Sequence, residues 1–261
     1  MPRFSANLTL MFGEVPFLDR FAAAARAGFR AVEFVSPYDF PADEVEARLR
    51  AHELSVSVFN LPPGDWAKGE RGIACLPDRV EEFAAGIDRA LAYARRLGCD
   101  RLHAMAGIRP AGVPDAELRR TYVANLRRAA DALRREGMTL LVEAINTRDI
   151  PGYYLTTSRQ AIEILDDVGA PNLLFQYDVY HLQIMEGDLA PTLERLLPRI
   201  GHVQIADTPG RHEPGTGEIN YPFLFRHLDR LGYRGWVGCE YKPLAATEAG
   251  LGWMTPYREE R

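Results

Sequence analysis

Cysteine is scarce in this chain, and metal-binding cysteine spacing is missing altogether. Cys75, Cys99 and Cys239 are the only three; none forms a CxxC pair, and an odd number leaves one unpaired. Buried reduced thiols therefore fit better than a disulfide framework or a zinc knot. Histidine is thin as well, with six scattered residues, and positive charge is not in excess: 31 Lys and Arg against 36 Asp and Glu give a formal charge of −5. That balance offers no footprint for nucleic acid or an anionic membrane, and so few histidines do not supply the zinc clusters of zinc-dependent nucleases. No apolar run approaches the roughly 18 residues of a membrane span, and the opening MPRFSANLTL has no signal-peptide hydrophobic segment. A cytoplasmic protein is the expectation. Repeats, low-complexity tracts and linkers are absent too, so 261 residues read as one domain over 1–261, large enough to bury a substantial core.

What is present is a set of short apolar runs that stop at a polar tail. In TLLVEAIN, residues 139–146, an extended chain puts Thr139, Leu141, Glu143 and Ile145 on one face and Leu140, Val142 and Ala144 on the other. Three later stretches repeat this. In LLFQYDVYH, Gln176 and Asp178 share a face opposite Phe175, Tyr177 and Val179. In HVQIAD, His202 and Gln204 oppose Val203 and Ile205; in WVGCEY, Gly238 and Glu240 oppose Val237 and Cys239. Strands with an apolar outer face and a selectively polar inner face suit a closed parallel barrel covered by helices.

The rest of the chain completes the alternation. RFSANL, AVEFVS, SVSVFNL and RLHAMAG read as the first four strands, separated by helical patterns in VPFLDRFAAAARAGF, ADEVEARLRAH and DRVEEFAAGIDRALAYARRLG. ELRRTYVANLRRAADALRREG leads into the fifth strand, a helix over 158–168 precedes the sixth, PTLERLLPRI the seventh and FLFRHLDRLG the eighth, with a short helix near EAGLGWM before the tail. Eight strands alternating with helices predict a (β/α)8 barrel of the triosephosphate isomerase type, whose active sites lie at the strands' carboxyl ends. Two long loops rich in glycine and proline, NLPPGDWAKGERGIACLPD and DTPGRHEPGTGEINYP, have the character of lids or binding loops.

Glu143, Asp178, Gln204 and Glu240 are then expected to converge at the barrel mouth. Three carboxylates and an amide oxygen are hard ligands suited to Mg²⁺ or Mn²⁺, and without a cation the carboxylates would repel one another and raise at least one pKa. Such a cation would acidify a C–H next to a bound carbonyl and stabilise an enediolate. Glu143 and Glu240, on the fifth and eighth strands, would flank a small α-hydroxy carbonyl compound and exchange a proton with neighbouring carbons, a 1,2 shift of carbonyl and hydroxyl. Should the ligand carry an anionic group, the loop cations Lys68, Arg71, Arg211, His212 and Lys242 are the candidates to meet it. Trp66 is placed to close over a small ligand. His103, His202 and Glu33 face inward below the mouth and read as satisfied interior groups.

RFSANL, AVEF with PYD, NLPPGDWAKGERGIACLP, EAIN with DIPGY, QYDVYH, GHVQIAD, RHEPGTGEINY and GWVGCEYKP together resemble the hydroxypyruvate isomerase family over nearly the whole chain. The resemblance implies interconversion of hydroxypyruvate and tartronate semialdehyde (2-hydroxy-3-oxopropanoate), a step of glyoxylate metabolism, with Glu143 and Glu240 as proton donor and acceptor. The wider group is the xylose isomerase-like barrels, whose Glu, Asp, His, Glu metal set corresponds to Glu143, Asp178, Gln204 and Glu240; Gln204 departs from the histidine. His181 stands where related epimerases have a histidine that touches substrate oxygen. Isomerases of four-carbon 2-oxo-tetronate share the opening strand, RHEP and GWVGCEYKP, whereas GDWAKGERG and NTRDIPGYY favour the three-carbon acid; epimerases or dehydratases of larger polyols are a further possibility. The partner implied is a small hydroxy or oxo acid, and a homo-oligomer is compatible with the sequence.

Overall fold

A computed structural model describes residues 1–257; the last four residues of the expected tail lie outside the described residues. Eight parallel strands close into a barrel in sequence order: β1 (Arg3–Asn7), β2 (Ala31–Phe34), β3 (Ser55–Asn60), β4 (Arg101–His103), β5 (Thr139–Glu143), β6 (Leu173–Asp178), β7 (Ile200–Ile205) and β8 (Trp236–Cys239). Closure comes from β8 pairing with β1, Val237 beside Phe4 and Cys239 beside Ala6. The alternation read from the sequence holds. Val32, Phe34, Leu140, Val142, Phe175, Tyr177, Val203 and Val237 are buried in the apolar layer under the helices, while the opposite residues of each strand fill the barrel.

The helices are α1 (Phe17–Arg26), α2 (Ala42–Ala51), α3 (Val80–Leu97), α4 (Asp115–Arg135), α5 (Ser158–Val168), α6 (Val179–Met185), α7 (Leu189–Leu196) and α8 (Tyr221–Arg230). Their stripes are the expected ones: Phe83, Ile87, Leu91 and Ala94 of α3 are buried, and Gly98 ends it in the left-handed conformation that glycine adopts without strain. The tail closes as a 3₁₀ segment, Thr247–Tyr257.

One expectation fails between β6 and β7. The strand ends at Asp178, and Val179, read as its next outward residue, opens α6 instead; two helices, α6 and α7, stand where one was expected. The cause is local. Asp178 turns its own carboxylate onto the backbone, Oδ1 accepting from the N–H of Tyr180 at 2.8 Å and of His181 at 3.4 Å, which caps a helix start. His181 is therefore one turn into a helix rather than three residues along a strand.

The lower barrel is packed by Leu141 and Leu174, against which a Cβ on Gly201 would collide. Above them the interior becomes polar, and Glu33 is its hub. Its carboxylate accepts from Gln204 Nε2 (2.7 Å), Asn7 Nδ2 (3.1 Å) and Ser57 Oγ (3.2 Å), and meets His202 Nε2 at 2.8 Å. It occupies the space that glycine leaves in β8, since a Cβ on Gly238 would strike the Glu33 carboxylate. Glu33 and His202 are thus satisfied interior groups, as their position suggests.

Candidate active site

The carboxyl ends of β5, β6 and β8 and the start of α6 bring Glu143, Asp178, Glu240 and His181 together. One ligand atom from each lies within 4.8 Å of the others. Glu143 and Asp178 are buried, and the Glu240 side chain is 12% exposed.

Each carboxylate has at least one oxygen fixed by the protein. Glu143 Oε2 accepts from Gln176 Nε2 at 3.0 Å, Asp178 Oδ1 is the helix cap, and Glu240 Oε1 accepts from Asn7 Nδ2 at 3.1 Å. The second oxygens of Glu143 and Asp178 are buried without a hydrogen-bond partner. Orphaned buried acceptors are costly, so oxygens aimed into a common gap mark a place for a ligand. Three carboxylates and one imidazole around that gap fit a hard divalent cation, and these four residues form a group that could hold one.

The electrostatics are those of crowded acids. Burial, with Glu240 and Asp178 as neighbours, pushes Glu143 well above the ordinary carboxylate range. Burial also raises Asp178 and Glu240, opposed in both by the Arg211 guanidinium. Arg211 reaches Glu240 Oε2 with its fork, donates from Nε to the Glu240 carbonyl at 3.2 Å, and lies 3.8 Å from Asp178 Oδ2 and 3.7 Å from Asp149 Oδ2. Its backbone is left-handed, φ 61°, a conformation that costs a non-glycine residue about 1 kcal/mol and is held here by these contacts.

The gap opens into a cavity of about 100 Å³ whose lining includes Asn7, Trp66, Glu143, His181, Arg211 and Glu240. Of the five candidate cations, Arg211 alone lines it. Lys68 is solvent-exposed and paired with Asp65 at 2.9 Å. Arg71 stacks on the Trp66 ring at 3.9 Å and donates to the Trp66 and Glu70 carbonyls. His212 Nδ1 contacts the Lys242 carbonyl at 2.8 Å, tying the loops together outside the cavity.

Residues 21–257 match the family described as the xylose isomerase-like TIM barrel. The chain belongs to this family. It is 56% identical over 257 residues to the 2-oxo-tetronate isomerase of Cupriavidus necator, covering 98% of this chain and 99% of that one. Against the hydroxypyruvate isomerase of Escherichia coli it is 54% identical over 258 residues, 99% of this chain and all of the other. A solved structure named as AP endonuclease, family 2, from Brucella melitensis superposes with a TM-score of 0.97 at 51% identity, covering 99% of this chain and 100% of that one.

Within this xylose isomerase-like barrel, the structure brings Glu143, Asp178 and Glu240 together as expected and adds His181 to them. Gln204 is arranged differently from the ligand reading: its Oε1 accepts from Gln176 at 2.7 Å while its Nε2 donates to Glu33. It joins Glu33 to the Gln176 that holds Glu143. His103 departs from the satisfied-interior expectation. Its Nδ1 is 3.2 Å from Asn60 Oδ1, but Nε2 is buried without a partner, and burial, aided by His202, lowers its pKa to about 3. Sequence reading gave no role to Asn7, Gln176, Asn146 or Asp207. The parity of Asn7 with Ser5 and of Gln176 with Asp178 was the available signal for the first two.

Proposed function

We propose that this chain is an isomerase of a small 2-oxo acid bearing a neighbouring hydroxyl, converting hydroxypyruvate and 2-hydroxy-3-oxopropanoate into each other, with a four-carbon 2-oxo-tetronate as the alternative substrate. The observation that carries it is the pair of unpartnered carboxylate oxygens, on Glu143 and Asp178, beside Glu240 in a cavity of about 100 Å³. The names of the relatives support the same reaction class.

In the forward direction one of Glu143 and Glu240 takes a proton from the hydroxymethyl carbon, leaving an enediolate over that carbon and its neighbour. A carboxyl group returns a proton to the former carbonyl carbon, and the hydroxyl proton passes to the former carbonyl oxygen. No electron leaves the substrate, so paired acid and base groups suffice. Burial and neighbouring acids raise both glutamates above the ordinary carboxylate range, Glu240 to about 8, which suits them to holding and passing on a proton. Arg211 is the cation positioned for the substrate carboxylate, His181 for a substrate oxygen, and Trp66 for excluding water. Glu143, Asp178 and Glu240 would hold Mg²⁺ or Mn²⁺, with Gln204 adjoining them; the bound cation would supply charge neutralisation and polarisation of the carbonyl.

An endonuclease reading, raised by the name given to the Brucella melitensis structure, is disfavoured by a site with a single histidine among its acids and by the net charge of −5. No helix among the described residues is long and apolar enough to cross a membrane. Turnover of both purified acids decides between three and four carbons. Equal inertness towards both would defeat the isomerase assignment.

A further inference from the structure

The pocket leaves open which nitrogen of His181 carries the hydrogen, and its neighbours decide it. The ring is buried. Its Nδ1 lies 3.3 Å from the backbone N–H of Asn146 and 2.6 Å from the Asn146 side-chain nitrogen. The identity of that nitrogen follows from the other end of the amide, because Asn146 Oδ1 accepts from the backbone N–H of Asp149 at 2.8 Å. A backbone N–H can only donate, so the amide oxygen must face Asp149 and the NH₂ must face His181. Nδ1 thus receives two donors, one of them a main-chain group that cannot reverse, and has no room for a hydrogen of its own.

We propose that Asn146 is a positioning residue that fixes His181 as a neutral imidazole with its hydrogen on Nε2, aimed as a donor at a substrate oxygen and not serving as a metal ligand. Nε2 stands 3.6 Å from Asp178 Oδ2 and 3.8 Å from Glu143 Oε1. Those separations are too long for direct hydrogen bonds, and both carboxylate oxygens are otherwise unpartnered. A substrate oxygen entering the gap receives the Nε2–H, which stabilises negative charge as it develops there. A cation in the same gap is left to the three carboxylates, because an imidazole nitrogen that carries hydrogen has no lone pair to give. With Nδ1 occupied by donors the ring carries a single hydrogen and is neutral. The tautomer itself stands on geometry alone, whereas the identity of the oxygen it serves rests on the isomerase reading.

The test is nitrogen NMR of metal-free protein labelled with ¹⁵N-histidine, with His181→Gln used for assignment. The expected wild-type spectrum has a pyridine-type Nδ1 and a pyrrole-type Nε2 that keeps its hydrogen when Mg²⁺ is added. Asn146→Asp replaces the closer donor, the NH₂ at 2.6 Å, by an acceptor and leaves the longer main-chain contact at 3.3 Å, so a pyrrole-type Nδ1 signal is expected to appear beside the pyridine-type one. Turnover should fall about 100-fold with KM within about threefold of wild type, as for loss of a group acting on the transition state. A hydrogen on Nδ1 in the wild type, or displacement of the Nε2 hydrogen by Mg²⁺, overturns the proposal even if the variant does not fold. A wild-type spectrum as expected, from protein that turns over neither acid, would sink the isomerase reading and leave the tautomer standing.

Discussion

At the scale of single residues, the site is a place where stability is given up for chemistry. Glu143 is buried against two other carboxylates, and its raised pKa means that its charged form is disfavoured by the fold. Glu143→Gln keeps the size and an acceptor for Gln176 while removing the charge. Turnover is expected to drop about 1,000-fold, while the melting temperature at pH 8 without metal holds or rises, by about 1 kcal/mol of added stability. A variant that retains wild-type turnover would remove Glu143 from the proton path. Glu143, Asp178 and Glu240 were legible because strand parity and position near a carboxyl end decide which side chains reach the mouth. Gln204 shared that parity, yet parity does not say what a side chain bonds to. Its amide was intercepted by Gln176 of the neighbouring strand β6 and by Glu33 of β2, which only barrel closure brings close.

Elements carry the next level of control. The chain reads as strand through LLFQYDVYH because its apolar residues alternate, and β6 does follow that pattern up to Asp178. A side-chain cap then outcompetes the strand, and this step of three residues is what turns His181 into the mouth. The second long loop is organised in the same way. Asp207, fully buried, accepts from the backbone N–H groups of Thr208 (2.9 Å), Gly215 (2.9 Å) and Ile219 (3.1 Å), and this loop carries Arg211 to Glu240. Asp207→Ala orphans those donors and is expected to cost about 2 to 3 kcal/mol. In folded protein below the melting transition, kcat/KM should fall by at least about tenfold as Arg211 loses its placement. Thermal melting and steady-state kinetics on one preparation check both, and a destabilised variant with unchanged kinetics would free Arg211 from dependence on the loop. Sequence reading recognised the loop by its glycines and prolines but not its anchor, because an aspartate that binds its own loop has the same local signature as one that binds solvent.

For the whole molecule, the three raised carboxyl groups set a pH dependence with a definite sign. Each binds its proton more tightly in the folded chain than in the unfolded one. Their contribution is therefore complete below the ordinary carboxylate range and is lost as pH rises towards about 8, where Glu240 titrates. Metal-stripped protein is expected to melt about 3 to 6 °C lower at about pH 8 than at about pH 5. Added Mg²⁺ or Mn²⁺ should flatten that slope by replacing the protons with a cation that binds the native state. A melting temperature that climbs over this interval, or that divalent ions leave unmoved, would contradict the proposed cation site. The barrel itself was the most legible feature, since eight alternating runs separated by helical stripes leave few other ways to cover both faces of each strand.

The pairing of β8 with β1 also bears on how the protein is born. Glu33 is synthesised 169 residues before His202 and 171 before Gln204, and Glu240 follows later still. Until those segments emerge from the ribosome, the nascent chain has only Asn7 and Ser57 to offer that carboxylate, and water must stay in the half-built interior. The growing polypeptide cannot close its barrel or act on anything until β8 has been made and has paired with β1.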